Sequence, residues 1–171
     1  MTSNSQIARI CQQESALVLD RFDEHVAFEI GSALRMKALA EGLPIVIDIQ
    51  SLNRPLFYAA LPGSDFSNRE WARRKINVVK RYLRSSYSLM LERATEDRLF
   101  RLSEGLDVSD YVLAGGGFPI RVENAGLVGV VAISGLPDRE DHDVVVAALC
   151  SYLGRDPAEL LWYEQVLPGV P

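Results

Sequence analysis

Apolar residues recur at two different spacings along this chain, and the spacing changes from one segment to the next. Spacings of three to four residues predict helices, whereas short runs rich in β-branched and aromatic residues predict strands. The predicted helices cover 5–15, 22–41, 68–82, about 87–98, and 138–153. The predicted strands cover 17–19, 45–49, 56–60, 118–122 and 127–134.

The order of these elements indicates one α+β domain. Short turns at 53–54 and 124–126 join two pairs of strands into antiparallel hairpins. We expect helices on both faces of one central antiparallel sheet of four or five strands, an α/β/α sandwich. The domain then spans 1–171, with its core at about 17–154. The tail, 155–171, carries Trp162, Tyr163 and Val166, so we expect it to dock on the body or on a neighbouring subunit.

Composition and charge narrow the class of protein. The chain has 171 residues, of which 48% are hydrophobic and 24% charged, as is typical of a globular domain. The net charge of −5 argues against nucleic-acid binding, because the phosphate backbone selects basic domains. The N-terminal residues are polar, and no apolar run approaches the roughly 20 residues that cross a bilayer. We therefore expect a cytoplasmic protein without a membrane or nucleic-acid partner.

The strongest charge feature is a basic helix within an acidic protein. Residues 69–84 hold seven of the eighteen basic residues and one acid, Glu70. Its non-apolar face could clamp a carboxylate or phosphate anion, because arginine binds both with paired hydrogen bonds. Alternatively, this face is solvated or pairs with acids of a neighbouring subunit. The residues concerned are Arg73, Arg74, Lys80, Arg81 and Arg84. Lys75 instead lies in the apolar stripe beside Trp71, where snorkelling explains its position at least as well as catalysis.

Three consecutive glycines, Gly115, Gly116 and Gly117, precede the strand that begins near Phe118. Their spacing matches neither a dinucleotide fingerprint nor a P-loop. Either a flexible start to the strand or the close approach of a ligand to the backbone explains them. The last helix follows a turn at 134–137 and begins with several acids, 138–143. These acids satisfy the helix dipole and would repel a phosphate, so we favour a helix-capping role over anion binding at this turn. They are also natural counter-charges for the basic helix, within the subunit or across an interface.

The remaining candidate residues give little sign of catalysis. His25 and His142 are the only histidines, so we expect no metal site. Both lie beside acids, so we expect them at the surface, with the pKa of His142 raised. His142 could also be a general base or a haem ligand. Cys11 and Cys150 are expected to be buried free thiols. Asp48, inside an apolar strand, would need a partner such as an arginine of the basic helix. No nucleophile–base signature is present, so enzyme activity is not indicated.

Six segments together resemble a known family. They are LPIVIDI at 43–49, FYAALPG at 57–63, WARRKINVV at 71–79, RSSY at 84–87, GGFPIRV at 116–122, and SGLPDREDH at 134–142. The chain resembles the UPF branch of the haem-degrading-domain family, also called the HbpS/GlcG-like family, over about 17–153. The resemblance implies a profilin-like α/β/α sandwich with a central antiparallel sheet, and homo-oligomers. It also implies relatives that bind haem or other tetrapyrroles.

Two functional hypotheses follow. In the first, the protein is an oligomeric small-ligand-binding protein that takes haem or another small anionic ligand. Its candidate binding residues are Arg73, Arg74, Lys75, Asn77, Gly116, Gly117, Phe118, Ser134 and His142. In the second, it is a structural or protein-interaction module without a ligand, and the basic helix forms subunit contacts. The expected partners are further copies of the chain and, in the first case, a small anion.

Overall fold

The computed structural model describes residues 3–93 and 96–162. Within them, five helices and five strands form. The helices are α1 (Ser3–Ala16), α2 (Glu24–Glu41), α3 (Asn68–Tyr82), α4 (Ser86–Arg93) and α5 (Asp138–Tyr152). The strands are β1 (Val18–Leu19), β2 (Val46–Ser51), β3 (Pro55–Ala60), β4 (Gly117–Val122) and β5 (Gly126–Ser134). Two short 3-10 helices, Leu102–Glu104 and Pro157–Glu159, complete the described elements.

The five strands form one sheet in the order β1-β4-β5-β2-β3. Both predicted hairpins are present: β2 pairs antiparallel with β3, and β4 pairs antiparallel with β5. The central pair, β2 and β5, is also antiparallel, with Val46 opposite Ser134. The sheet departs from the expected antiparallel form at one edge, where β1 runs parallel to β4. This edge strand follows a helix and does not belong to a hairpin.

Helices cover both faces of the sheet, so the predicted α+β sandwich is confirmed. On one face, α2 and α5 bury the larger core, which includes Ile30, Leu34, Ile47, Ile133 and Leu149. On the other, α3 packs on a smaller cluster formed by Ala72, Ile76, Val79, Val130 and Ala132. The first strand of each hairpin points alternate side chains to the two cores, which is why β2 and β4 are buried on both faces.

Local signals explain where the helices begin and end. The Asp23 side chain accepts a hydrogen bond from the Val26 N–H at the start of α2, and Gly42, with φ of 65°, ends that helix. α3 has the predicted bounds. α4 ends at Arg93, earlier than the predicted residue 98. Arg98 has φ of +59°, a left-handed conformation that a right-handed helix does not contain.

The last described residues of the tail pack against the body of the domain. Leu160 and Trp162 are buried, and the Trp162 Nε1–H donates to Asp143 Oδ1 at 2.9 Å. Tyr163 and Val166 lie outside the described residues.

The two cysteines differ in burial. Cys150 is buried, but the expectation that Cys11 is buried is wrong, because α1 packs through other positions and leaves this thiol exposed. Among the described helices, none has the length and apolarity that a membrane crossing requires.

Candidate functional site

Three of the predicted anion-binding residues hold a loop of the same chain. Arg73 donates through Nη1 to Asp110 Oδ1 and through Nη2 to Ser109 O, both at 2.8 Å. Arg74 Nη2 donates to the backbone carbonyls of residues 108 and 111, and Asn77 Nδ2 donates to Asp110 O at 3.0 Å. These groups bind the loop 107–111 along the outer side of α3 and do not converge on a cavity with the other candidates.

His142 lies in the core, so the expected surface position is wrong. Its side chain is fully buried between Tyr87 and Phe118, with ring centroids at 5.2 and 5.6 Å. Gln13 Nε2 donates to Leu160 O, so Gln13 Oε1 accepts from His142 Nε2–H at 2.8 Å. Burial lowers the pKa of His142 from 6.5 to about 3, the opposite of the expected direction. The neighbours of His142 in the sequence are acidic, but the side chains that contact it in the fold, Tyr87, Phe118 and Gln13, are uncharged.

The consecutive glycines allow close packing within the chain. A Cβ on Gly115 would lie 2.1 Å from Asp138 O, and one on Gly116 would lie 2.4 Å from Ile133 O. The Gly117 N–H donates to Ser86 Oγ at 2.9 Å. The glycines therefore let β4 approach β5 and the first turn of α5, and Phe118 behind them is a core residue.

Asp48 also has a partner other than the one expected. Gln50 Nε2 lies 3.1 Å from both carboxylate oxygens of Asp48, and Lys80 Nζ donates to Gln50 Oε1 at 3.1 Å. No arginine of α3 makes a hydrogen bond to Asp48. Burial raises the pKa of this carboxyl group, whereas the Gln50 hydrogen bonds and the charges of Lys80 and Arg69, both in α3, lower it.

A cleft of about 410 Å³ opens where α3 meets the turn between β5 and α5. It brings together two of the predicted residues, Lys75 and Ser134. The other described residues of its wall are Asn68, Trp71, Arg98, Ala114, Gly135, Leu136, Asp138 and Asp141. The cleft therefore combines one aromatic side, two cations, two carboxylates and a hydroxyl group.

A buried ion pair forms the floor of this cleft. Lys75 Nζ donates to Asp141 Oδ2 at 2.7 Å and to Ile133 O at 2.9 Å, and the two charged side chains are 3% and 1% exposed. Asp141 Oδ1 also accepts from the Leu136 N–H at 3.0 Å, which fixes the turn. Burial raises the pKa of Asp141 to about 6 and lowers that of Lys75, while the attraction between the two charges opposes both changes. The acids of α5 thus include a counter-charge for the basic helix, as expected.

A second ion pair lies at the rim of the cleft. Arg98 Nη1 lies 2.9 Å from Asp138 Oδ2, and Asp138 Oδ1 accepts from the Gly115 N–H at 2.9 Å. Within the described residues, Nε and Nη2 of Arg98 make no hydrogen bond. The same holds for the hydroxyl of Ser134, which is 4% exposed. Three hydrogen-bonding groups of the cleft therefore have capacity for a ligand.

Sequence reasoning missed Trp71 and Arg98 as parts of the site. Trp71 precedes Lys75 by one helical turn on the same face, so the spacing contained the signal for it. Arg98 lies in a segment for which a helix was predicted, and only its left-handed backbone places it at the rim.

Comparisons with known proteins agree with the fold and with the expected family. The model of the family described as haem degrading protein HbpS-like matches residues 22–150. A UPF0303 protein of Mesorhizobium japonicum is 60% identical over 94% of this chain and 96% of its own length. The crystal structure of the Ybr137w protein superposes with a TM-score of 0.79 at 25% identity, covering 86% of this chain and 87% of that one. The crystal structure of a PduOC:heme complex has a TM-score of 0.63 at 20% identity, with 76% and 94% covered. The chain belongs to the HbpS-like family.

Proposed function

We propose that this protein binds a small carboxylate ligand in the cleft between α3 and the β5–α5 turn. The observation that carries the proposal is the buried Lys75 ammonium group. An ammonium group has three N–H donors, and the protein takes two of them, through Asp141 and Ile133. The third is available to an acceptor oxygen in the cleft that Lys75 lines.

The hydrogen-bond donors at the rim of the cleft favour a negatively charged ligand. Arg98 uses one terminal nitrogen for Asp138, which leaves two further nitrogens of its guanidinium group as donors. Such a fork suits a carboxylate, and the Ser134 hydroxyl can donate a further hydrogen bond. Because each cation already has an acidic partner, the cleft is close to neutral, and we expect modest affinity for a compact anion.

Haem fits this cleft poorly. The usual axial ligands of haem iron in proteins are His, Cys, Met and Tyr side chains. None of the described residues that line the cleft is of these types. His142, the ligand suggested by the sequence, is fully buried and uses Nε2 for Gln13. Haem binding stays a prediction, which the absorption spectrum of the protein mixed with haem would test.

The alternative function, subunit contacts through the basic helix, receives less support. Arg73 and Arg74 are engaged by the loop 107–111 of the same chain. Arg69 and Arg81 are exposed and would be the residues that such contacts use. Self-association stays a prediction that light scattering would test.

Calorimetric titration with acetate, pyruvate and acetamide tests the proposal. The two carboxylates should bind and the neutral amide should not. Arg98→Gln should weaken carboxylate binding at least about tenfold, because it removes a charge-assisted hydrogen bond. Arg81→Gln is the matched control, since it removes the same charge from an exposed position outside the cleft, and it should bind like the unmodified protein. No binding of either carboxylate, or equal effects of the two changes, would refute the proposal.

A further inference from the structure

Lys75 differs from the other lysines of the chain. There are three, Lys37, Lys75 and Lys80. Lys37 is exposed and pairs with Glu41, and Lys80 is half-buried beside Gln50. Lys75 is almost fully buried, lines a cleft, and has a carboxylate oxygen 2.7 Å from its nitrogen. Among the three lysines, Lys75 therefore combines burial, a carboxylate partner and a position at the cleft.

We infer that Lys75 forms a reversible imine with a small 2-oxo acid held in the cleft. This inference rests on the proposed function and specifies the ligand class of the same site. An imine requires an amine that can lose its proton, a group that accepts and returns that proton, and a carbonyl carbon placed against the nitrogen. Lys75 is the amine, Asp141 is the group that accepts and returns the proton, and the ligand provides the carbonyl carbon.

The environment of Lys75 favours the neutral amine more than water does. Burial disfavours the ammonium group and lowers the pKa of Lys75. Burial also raises the pKa of Asp141 to about 6, so this carboxyl group can hold a proton near neutral pH. The short contact between Asp141 Oδ2 and Lys75 Nζ gives the proton a direct path from one to the other. The carboxylates of Asp141 and Asp138 raise the pKa of Lys75 and the Arg98 cation lowers it slightly, but burial is the largest cause and the pKa is lowered overall.

The reaction balances without any further reagent. Lys75 Nζ gives its proton to Asp141 Oδ2 and attacks the carbonyl carbon, so a C–N bond forms and the C=O π electrons move to oxygen. That oxygen takes the proton back from Asp141, which yields a carbinolamine that is still protonated on nitrogen. Loss of the second N–H proton to Asp141 gives the neutral carbinolamine, and transfer of that proton to the hydroxyl group releases water and leaves a protonated C=N bond. Hydrolysis reverses each step.

The polar groups at the rim explain why the ligand would be an oxo acid. Arg98 and Ser134 provide donors for a carboxylate, while Lys75 lies on the floor of the same cleft. A ligand with a ketone next to its carboxylate can therefore bind Arg98 and Ser134 through the carboxylate while its ketone carbon faces Lys75. Trp71 forms one side wall against which the short carbon chain would pack.

Reductive trapping tests the inference. The protein is incubated with pyruvate and sodium cyanoborohydride, and the adduct is located by mass spectrometry of its peptides. We expect one addition, equal to the mass of pyruvic acid less one oxygen atom, on Lys75. Asp141→Asn should slow the addition about 100-fold, the usual contribution of a general acid–base. Lys80→Arg, which changes a lysine of the same helix outside the cleft, should leave the rate unchanged.

Each outcome decides for or against the imine. An adduct spread over Lys37, Lys80 and the N-terminal amine, or an equal rate in Asp141→Asn, overturns it. Pyruvate binding by calorimetry without an adduct overturns the imine and leaves the proposed function standing. Absence of both binding and adduct overturns both. Because the site is mapped in the unmodified protein, the result does not depend on whether a Lys75 variant folds.

Discussion

Lowering the pH from 7 to 5 should destabilise this protein through His142. The side chain is fully buried in its neutral form, with Nε2–H donating to Gln13. Its pKa is about 3 in the folded protein, against an ordinary value of 6.5. Between these two values the unfolded chain binds a proton that the folded chain excludes. Stability is therefore lost as the pH falls through 6.5 towards 3.

The magnitude follows from the two pKa values. At pH 7 the loss from this group is close to zero, and at pH 5 it reaches about 2 kcal/mol. Such a loss is a large fraction of the stability of a domain this size. Asp141 acts in the opposite direction, because burial raises its pKa to about 6 and the folded protein takes up its proton first. The contribution of His142 must therefore be measured as a difference between two proteins.

His142→Gln provides that comparison. Glutamine does not titrate in this range, and its amide can donate to Gln13 in place of the ring N–H. Urea denaturation at several pH values between 7 and 5, followed by circular dichroism, gives the free energy of unfolding of each protein. The unmodified protein should lose about 2 kcal/mol more than the variant over this range. Parallel pH profiles of the two proteins would show that burial does not hold His142 neutral.

Three further changes test other contacts. Gly116→Ala should lower the free energy of unfolding by about 3 kcal/mol or more, because its Cβ would lie 2.4 Å from a backbone oxygen of β5 at φ of +110°. Lys75→Met should cost about 3–5 kcal/mol by leaving the Asp141 carboxylate buried without its cation, and adding Asp141→Leu should recover part of that loss. In the folded protein, a thiol reagent should modify Cys11 rapidly and Cys150 only after unfolding.

The control for the glycine change is Gly126→Ala. Gly126 also has a positive φ, of 75°, but a Cβ there would meet nothing within 4 Å. Its cost should be about 1 kcal/mol, from backbone strain alone. Equal losses at the two glycines would contradict the packing explanation. If the variant with both Lys75→Met and Asp141→Leu were less stable than Lys75→Met alone, the ion-pair explanation would be wrong. Labelling of both thiols at the same rate would contradict the burial of Cys150.

The elements with a strong periodic pattern were predictable. The bounds of α3 agree with the prediction, since its apolar stripe repeats over four turns and Leu83 ends it in a left-handed conformation. The two hairpins followed from β-branched runs separated by short turns. The parallel pairing of β1 with β4 was not predictable, because a strand of two residues carries no pattern that identifies its partner.

The site was predictable in part. Lys75 and Ser134 were candidates, and the structure brings them to one cleft. Arg73 and Arg74 were candidates by charge, and Asn77 was a candidate to orient the anion. The residue types along a helix do not show that the loop 107–111 folds back over them.

The error at His142 has a similar cause. Its sequence neighbours are acids, and the pKa prediction used their charge. In the fold, α5 turns this position towards Tyr87 and Phe118, so desolvation determines the pKa. The direction of a side chain on a helix depends on which neighbours the helix packs against, and the sequence around it does not contain that information.

A crystal structure of the protein grown with pyruvate would show whether the cleft over the Lys75–Asp141 pair holds a small carboxylate. We expect electron density in the cleft that contacts Lys75 Nζ, the Arg98 guanidinium group and the Ser134 hydroxyl. Density for pyruvate only at other surfaces, or a cleft filled by solvent at saturating pyruvate, would contradict the proposed function.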